Sequence, residues 1–478
     1  MIKQSDSLEF LKTIGEYEND IIYADPPYAL GSEIIIRSDG MVDYKKANDF
    51  MNKWSMPTGD YWNAWFKEAY KTLKHGGYLI MFGMDRQLLL FKYYANLAGF
   101  KEQQSLYWYF ISNFPKATDL SKMIDKNAGA ERNIVEVKGN KNNEVLGITK
   151  GVMADNNAIT ELAKKYEGYK YSISPLKQTN ETIMVFQKPY KSGSCLHDTL
   201  LFENGDNECR CGALNIDGNR VEPTSEKDLK DIRSERPSKT SNANEYTINH
   251  GKLDGMDRSD RQEVTGRYPS QTFCDSNTAE VLDKQSGAKC GAQVPVKSNT
   301  NNQLFGNEKL SGDDGKSFYQ DTGGCSKILH KCDFQDDEHD IYFYQPKVSK
   351  SERNAGCDEF EEQIKGYGNL RSEANDNFDN KKSIPVKNIH PTLKPIALNY
   401  RILKLFKTPN DQRICFPFAG SGSEIIGGIK AGFTNWTGCE INQEYIDIAN
   451  ARIEYWTKQF EEEAHKDKQI TIDDLLDK

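Results

Sequence analysis

Short apolar runs alternate with amphipathic stretches toward both ends of the chain. Ile21-Ile22-Tyr23-Ala24, Tyr78-Leu79-Ile80-Met81-Phe82, Thr182 to Phe186 and Arg413-Ile414-Cys415-Phe416 are continuous enough to predict buried strands. Residues 1–5, Ser105 to Phe110 and Asn435 to Glu440 read as further strands. Residues 61–74 set Trp62, Trp65, Ala69, Tyr70 and Leu73 on one helical face, and His75-Gly76-Gly77 is expected to end that helix. Arg86 to Ala98, stopped by Gly99, and Glu424 to Lys430 read as helices. Strands alternating with helices predict an α/β fold: a Rossmann-like, doubly wound, mostly parallel sheet, split in sequence and closed in space.

Between 191 and 384 the alternation gives way to short strands, polar loops and runs such as Asp254-Gly255-Met256-Asp257-Arg258-Ser259-Asp260, predicting a long irregular α+β insertion of mobile segments. The expected organisation is 1–190 and 385–460 as two halves of one domain, 191–384 as the insertion, and 461–478 as an acidic, solvated tail. The insertion holds 26 Lys and Arg against 35 Asp and Glu, whereas the remainder balances at 36 and 36. It cannot be a uniformly basic cradle, so any phosphate contact must come from local patches. The best patch is Lys164-Lys165-Tyr166-Glu167-Gly168-Tyr169-Lys170-Tyr171, with Lys177 and Lys188 nearby. Interleaved basic and aromatic groups suit phosphates and bases; a solvated helix end with tyrosines packed inward fits the same pattern.

At 478 residues and 37% hydrophobic content the chain has enough apolar material for a core. It has no apolar run of membrane-spanning length and no signal-like start, so a cytoplasmic protein without a membrane partner is expected. Its ten cysteines are expected as thiols. Cys195-Leu196-His197 with Cys209-Arg210-Cys211, and Cys325 with His330 and Cys332, are candidate zinc groups. Their paired ligands are one residue apart, where structural zinc usually has two to four, so no metal is expected.

Asp25-Pro26-Pro27-Tyr28 ends the first long apolar run. Asp-Pro there can be a simple strand-terminating turn. It also suits chemistry on the exocyclic amine of adenine or cytosine, a poor nucleophile because its lone pair is delocalised into the ring. The Asp25 carboxylate and the Pro26 carbonyl can accept the two amine protons, the prolines hold both acceptors rigid, and the Tyr28 ring can stack on a base. Far along the chain, Phe418-Ala419-Gly420-Ser421-Gly422-Ser423 joins a predicted strand to a predicted helix. Glycines at such a turn let a ligand approach the backbone. Glu440 ends the next strand about 20 residues later, where a Rossmann-type sheet places a ribose-binding acid.

These segments resemble the amino-methyltransferases of DNA, in the group whose catalytic motif precedes its cofactor motif, including phage-type DNA methylases. Asn388-Ile389-His390-Pro391-Thr392-Leu393-Lys394-Pro395 is similar to the family's Pro-x-x-Lys-Pro segment, and Ser5-Asp6 before Leu8-Glu9-Phe10-Leu11 to its adenine-contacting motif. Glu440-Ile441-Asn442 with Glu444 to Ala449 is similar to its second cofactor strand and helix. Gly212 to Gly218, Arg267-Tyr268-Pro269-Ser270 and Tyr344-Gln345-Pro346-Lys347 with Ser349 to Asn354 match in order. The resemblance implies S-adenosylmethionine held by Asp6, Pro391, Thr392, Lys394, Phe418, Ala419, Gly420, Ser421, Gly422, Glu440 and Asn442. It implies catalysis by Asp25, Pro26, Pro27 and Tyr28 on a base flipped out of double-stranded DNA, which Lys164, Lys165, Lys170 and Lys177 help to hold, with target recognition in the insertion.

Two positions depart from the family. Phe416 stands where a carboxylate two residues before the motif phenylalanine usually helps hold the cofactor's ammonium, and Glu424 replaces a small or Thr residue. Asp before Pro-Pro-Tyr is commoner among adenine-N6 members, so an adenine-specific site-specific methyltransferase is expected. A cytosine-N4 enzyme and an inactive nucleic-acid-binding relative are the alternatives.

Overall fold

The computed structural model describes residues 2–28, 33–45, 57–110, 116–132, 134–138, 150–154, 157–223, 226, 229, 265–274, 276–286, 289–290, 322–323, 329–331, 350–364 and 385–476. It forms two compact units, 1–215 with 332–478, and 216–331.

In the first unit the sheet is built from β1 (Ile2–Gln4), β2 (Asn19–Ala24), β3 (Leu73–Gly83), β4 (Lys101–Glu102), β5 (Leu106–Tyr109), β6 (Asn180–Gln187), β7 (Arg413–Phe416) and β8 (Asn435–Glu440). The order is β1-β8-β7-β2-β3-β6-β5, with β4 also beside β6. β1, β8, β7, β2 and β3 pair in parallel, while β6 runs antiparallel to β3, β4 and β5. An apolar run such as Thr182 to Phe186 announces a strand but not its direction.

Strand alternation divides the buried residues between two faces. Ile22, Ala24, Leu79, Met81, Met184, Phe186, Cys415 and Cys439 pack with α1 (Ser7–Lys12), α2 (Gly59–Thr72) and α3 (Asp85–Ala98), where Trp62, Trp65, Phe66 and Phe91 fill the layer. Tyr23, Tyr78 and Phe416 face the other way, toward α4 (Ile396–Phe406) and α5 (Ser423–Lys430). There Tyr23 donates to Asn399 Oδ1 at 2.8 Å and the Tyr78 ring meets Phe406 at 4.9 Å. A long helix, α6 (Gln443–Leu476), packs on α5 and continues through the acidic residues expected as a tail. The doubly wound sheet is therefore as expected.

One boundary differs. α2 ends at Thr72 and β3 begins at Leu73, so His75-Gly76-Gly77 lies within a strand rather than after a helix. The β2–β3 register jumps between Asn19↔Leu73 and Ile21↔Tyr78, and Gly76 takes φ +76°, which a glycine accommodates at this bulge.

Residues 191–215, placed by composition with the insertion, pack in the first unit. Arg210 is buried there and donates to the Asp20 carbonyl at 2.6 Å. The helix Lys350–Asn354 belongs to this unit as well: Glu352 Oε1 accepts from Ile396 N at 2.9 Å, and Arg353 donates to the His390 carbonyl at 2.7 Å. The second unit contains the helix Ser276–Ser286, the parallel pair Thr272–Cys274 and His330–Lys331, and the bridge Val221↔Arg267. Asp254 to Asp260 and Tyr344 to Ser349 lie outside the described residues.

Candidate active site

Asp25-Pro26-Pro27-Tyr28 leaves the carboxyl end of β2 without regular structure. Such strand ends are where open α/β sheets place their ligands. Gln87 Nε2, from α3, donates to the Pro27 carbonyl at 3.1 Å and steadies the loop. Among the described residues nothing donates to the Pro26 carbonyl.

Lys394, just ahead of α4, reaches across to this loop. Its ammonium donates to Asp25 Oδ2 at 2.5 Å and to the Tyr28 hydroxyl at 3.2 Å, and lies 3.5 Å from Glu181 Oε2 at the start of β6. The Tyr28 hydroxyl is 3.1 Å from Asp25 Oδ1 and 3.2 Å from Glu181 Oε2. Burial, then the charge of Asp25, pushes the Tyr28 phenol well above its ordinary range, so it remains a donor. Aromatic faces complete the cage, since the Lys394 ammonium is 4.7 Å from the Phe82 ring centroid and 5.1 Å from that of Tyr28. Lys394, expected beside the cofactor, thus makes its polar contacts with the catalytic loop and Glu181.

The glycine turn runs from β7 into α5. Gly420 (φ +49°) and Gly422 (φ +84°) are both left-handed, and a Cβ on Gly420 would stand only 3.0 Å from His390 Nε2. Glu440 shapes this cradle from the end of β8: it accepts from Gly420 N at 3.0 Å, Ile441 N at 2.9 Å and Asn442 N at 3.0 Å. Burial raises its carboxyl pKa, with those N–H groups opposing the shift. Ala419 N bonds the Cys439 carbonyl at 2.9 Å, and Asn442 Oδ1 accepts from Glu444 N at 2.8 Å at the head of α6. Ser421 is tied by Asn388 and by the fully buried Arg452, whose Nη1 is 2.6 Å from its carbonyl. The His390 ring packs edge-on against Tyr445 at 4.6 Å and bonds the Thr392 carbonyl through Nδ1. Pro391 is half-buried and Thr392 exposed. Phe418 stacks on Trp65 at 5.9 Å.

Asp6 caps α1, with Oδ1 accepting from Leu8 N at 2.9 Å and Glu9 N at 3.2 Å, while Tyr61 donates to Oδ2 at 3.1 Å. The structure therefore brings Asp6 and Glu440 to neighbouring strand ends, since Ser5 N bonds the Glu440 carbonyl at 3.1 Å.

Phe416 is 1% exposed and buried in aromatic and aliphatic surroundings, with its ring against Tyr23 and Gly428. Glu424 is also buried, at 6% exposure, and burial followed by the nearby Asp25 charge pushes its carboxyl up to about 8.

The basic patch is at the surface. Lys164, Lys165, Lys170 and Lys177 are exposed, as are Tyr169 and Tyr171 at 62% and 49%. Those two tyrosines are thus not packed inward, whereas Tyr166 is half-buried. Lys164 pairs with Glu161 at 2.8 Å, and Lys170 opens a strand paired with Lys116–Asp119. Lys188 does not belong to the patch: it is buried, donates to the Tyr70 and Leu73 carbonyls, and burial lowers its pKa to about 8.

Among the described residues no group of three or more His, Cys, Asp or Glu is arranged for a metal. Cys195, Cys209 and Cys211 are free thiols, while Cys325, Cys332 and the His330 side chain lie outside the described residues.

Sequence reading did not single out Glu181, Tyr61, Gln87 or Arg452. Glu181 had a signal, since an acid heads a strand whose next residues, Thr182 to Phe186, are all buried. Tyr61 and Gln87 sit on amphipathic helices, where nothing local marks a polar side chain as a partner of the catalytic or capping loops.

No curated protein matches the sequence significantly. Among solved structures, the chain is similar to the crystal structure of the M1.HpyAVI–SAM complex at 10% identity, covering 95% of this chain and 98% of that one, with a TM-score of 0.32. It is similar to PvuII DNA methyltransferase (cytosine-N4-specific) at 11% identity, covering 96% and 91%, with a TM-score of 0.37. A family model described as DNA methylase matches residues 19–451, a span that takes in the loop after β2, Glu181, Lys394, the glycine turn and Glu440. The chain belongs to the N6/N4 DNA methylase family.

Proposed function

We propose that the protein methylates the N6 amino group of a flipped adenine in double-stranded DNA, with S-adenosylmethionine as donor. The observation that carries this reading is the juxtaposition, through Lys394, of the Asp25-Pro26-Pro27-Tyr28 loop with the segment leading to α4 and the glycine turn. An exocyclic amine becomes nucleophilic when its two protons are accepted. The Asp25 carboxylate and the open Pro26 carbonyl are rigid acceptors for that task, preorganised by the prolines, Gln87 and Lys394. Asp25 is then the base for the proton that the methylated nitrogen must lose.

The cradle fits the donor. Gly420 and Gly422 hold the turn in left-handed backbone packed too closely on His390 and Ala449 for side chains, and Glu440 and Asp6 stand at adjacent strand ends. In this reading Gly420, Ser421, Gly422, Phe418 and Ala419 line the methionine side, with Pro391 and Thr392 nearby; Glu440 takes the ribose, Asp6 and Asn442 the adenine end. Bound there, S-adenosylmethionine supplies a methyl group on a positively charged sulfur. Asp25 before Pro-Pro-Tyr supports adenine as the base. The exposed Lys164, Lys165, Lys170 and Lys177 with Tyr169 and Tyr171 support contact with the phosphate backbone.

The test is to incubate the protein with mixed-sequence duplex DNA and isotopically labelled S-adenosylmethionine, digest to nucleosides and identify the product by mass spectrometry. Labelled N6-methyladenine is the expected outcome. N4-methylcytosine would transfer the reading to the other amine, and absence of any labelled nucleoside would overturn it.

A further inference from the structure

The Glu424 carboxylate in the first turn of α5 is buried without a counter-charge. Its residue is 6% exposed, and among the described residues its carboxylate makes no ion pair. Asp25, Tyr28, Lys394 and Arg452 are near enough to interact with it electrostatically. Neither cation is in ion-pair contact with it. Lys394 directs its ammonium to Asp25, Tyr28 and Glu181, and Arg452 directs its guanidinium to Ser421, Ser423 and the Glu352 carbonyl. A buried carboxylate in that condition is costly unless it is neutral or a cation arrives. Position 416, on the neighbouring strand end, offers no alternative acid because Phe416 is sealed between Tyr23 and Gly428.

We propose that Glu424 is the counter-charge for the α-ammonium of S-adenosylmethionine, in a pocket whose carboxylate sits on the helix after the glycine turn rather than on the strand before it. The assignment rests on the proposed methyl-transfer reading. Glu424 opens the helix that follows β7, and β7 pairs in parallel with β2, so the helix start and the loop carrying Asp25 leave neighbouring strand ends, the side on which the methionine part of the donor must lie if its methyl group is to reach an amine at Asp25. The protein alone holds Glu424 largely protonated at neutral pH, since its pKa stands at about 8. An ammonium favours the ionised form, so binding must expel a proton.

Calorimetric titration tests this with S-adenosylhomocysteine, which carries the same ammonium, and with its analogue lacking the α-amino group. Glu424→Gln is expected to weaken S-adenosylhomocysteine by about tenfold or more, the scale of one charge-assisted hydrogen bond, and to leave the deaminated analogue within about twofold. Wild-type binding of S-adenosylhomocysteine at pH 7, repeated in buffers of different ionisation enthalpy, is expected to release close to one proton, and binding of the analogue far less. Unchanged affinity in Glu424→Gln, or equal weakening of both ligands, overturns the assignment while leaving the methyl-transfer reading standing. Should the variant fail to fold, the wild-type measurement decides, and absence of proton release overturns the assignment. Failure of the wild type to bind S-adenosylhomocysteine at all overturns both.

Discussion

The Lys394 ammonium lies 2.5 Å from Asp25 Oδ2 although 369 positions separate them in the chain. The pair joins the two sequence-distant halves of the domain at the residue proposed to polarise the target amine. Both side chains are well buried, 4% and 15% exposed, and Glu181 shares the ammonium. The interaction therefore holds Asp25 in one rotamer and balances negative charge in a site that must also receive a positively charged donor.

Asp25→Ala is expected to abolish methyl transfer while S-adenosylhomocysteine binding stays within a few-fold of wild type. Losing a charged acceptor of the amine should raise the barrier by about 3 kcal/mol or more. Single-turnover rates beside calorimetric affinities separate the two effects. Near wild-type turnover by this variant, or by Asp25→Asn, would exclude Asp25 from the chemistry.

Lys394→Met is expected to lose both activity and stability. Removing one partner of a buried ion pair leaves Asp25 and Glu181 facing each other, which costs about 3 kcal/mol in comparable sites. Protonating the stranded acids relieves the repulsion, so the deficit relative to wild type should shrink as pH falls. Urea melts of both proteins at pH 5 and pH 8 check this, and a pH-independent deficit would show that packing, not charge, is what Lys394 contributes.

Much of this arrangement is readable from local sequence. β2 and β7 are short, largely apolar and followed by punctuating residues, so they and the turns that carry Asp25 and Gly420 follow from pattern, whereas the mixed β8 is marked by the distance from the glycines to Glu440. What is not readable is assembled at long range. Glu181 belongs to the site because β6 inserts antiparallel beside β3, and direction is not encoded in a strand's apolar pattern. Lys188 looks like part of a basic patch by sequence, yet its stem is drawn inward by the carbonyls that end α2. The start of β3 is hidden because Leu73 continues the helical periodicity of α2 until the bulge at Gly76.

The exposed basic patch should behave as an electrostatic surface. Lys165→Glu, Lys170→Glu and Lys177→Glu together are expected to weaken binding to duplexes of unrelated sequence to a similar extent. The slope of log affinity against log salt should become shallower by about one for each phosphate no longer neutralised. Lys164→Glu should add less, because Lys164 is already paired with Glu161. Fluorescence anisotropy over a salt series measures both quantities, and an unchanged slope would remove the patch from the DNA-binding surface.

The titration of Glu424 has a consequence for stability that does not require any ligand. In the unfolded chain its carboxyl titrates at the ordinary value near 4.5, whereas in the fold it holds its proton up to about 8. Between those values the folded state binds the extra proton, so stability falls as pH rises through the window and levels off above it. Glu424→Gln removes this dependence and is expected to be more stable than wild type at pH 8.5 by up to about 3 kcal/mol. Denaturant melts at pH 5.5, 7 and 8.5 test the sign, and a wild-type stability that rises over this interval relative to the variant would mean Glu424 ionises freely in the folded protein.

Phe416→Asp asks whether an acid on the strand before the glycine turn can serve this pocket. Were Phe416 merely a missing carboxylate, restoring the acid would tighten S-adenosylhomocysteine. The surroundings argue otherwise: the ring is enclosed by Tyr23, across which Asn399 is bonded, and a Cβ on Gly428 would stand 3.1 Å from Phe416 Cζ, so α5 is packed directly on the ring. Replacing it leaves a void and puts an unpaired carboxylate among apolar groups, which together should cost about 3–5 kcal/mol of stability. The variant is expected to melt at markedly lower denaturant concentration and to bind S-adenosylhomocysteine no more tightly than wild type. If it instead folds normally and binds more tightly, while Glu424→Gln binds normally, the strand position is the native place for the charge and the pocket has not moved it to α5.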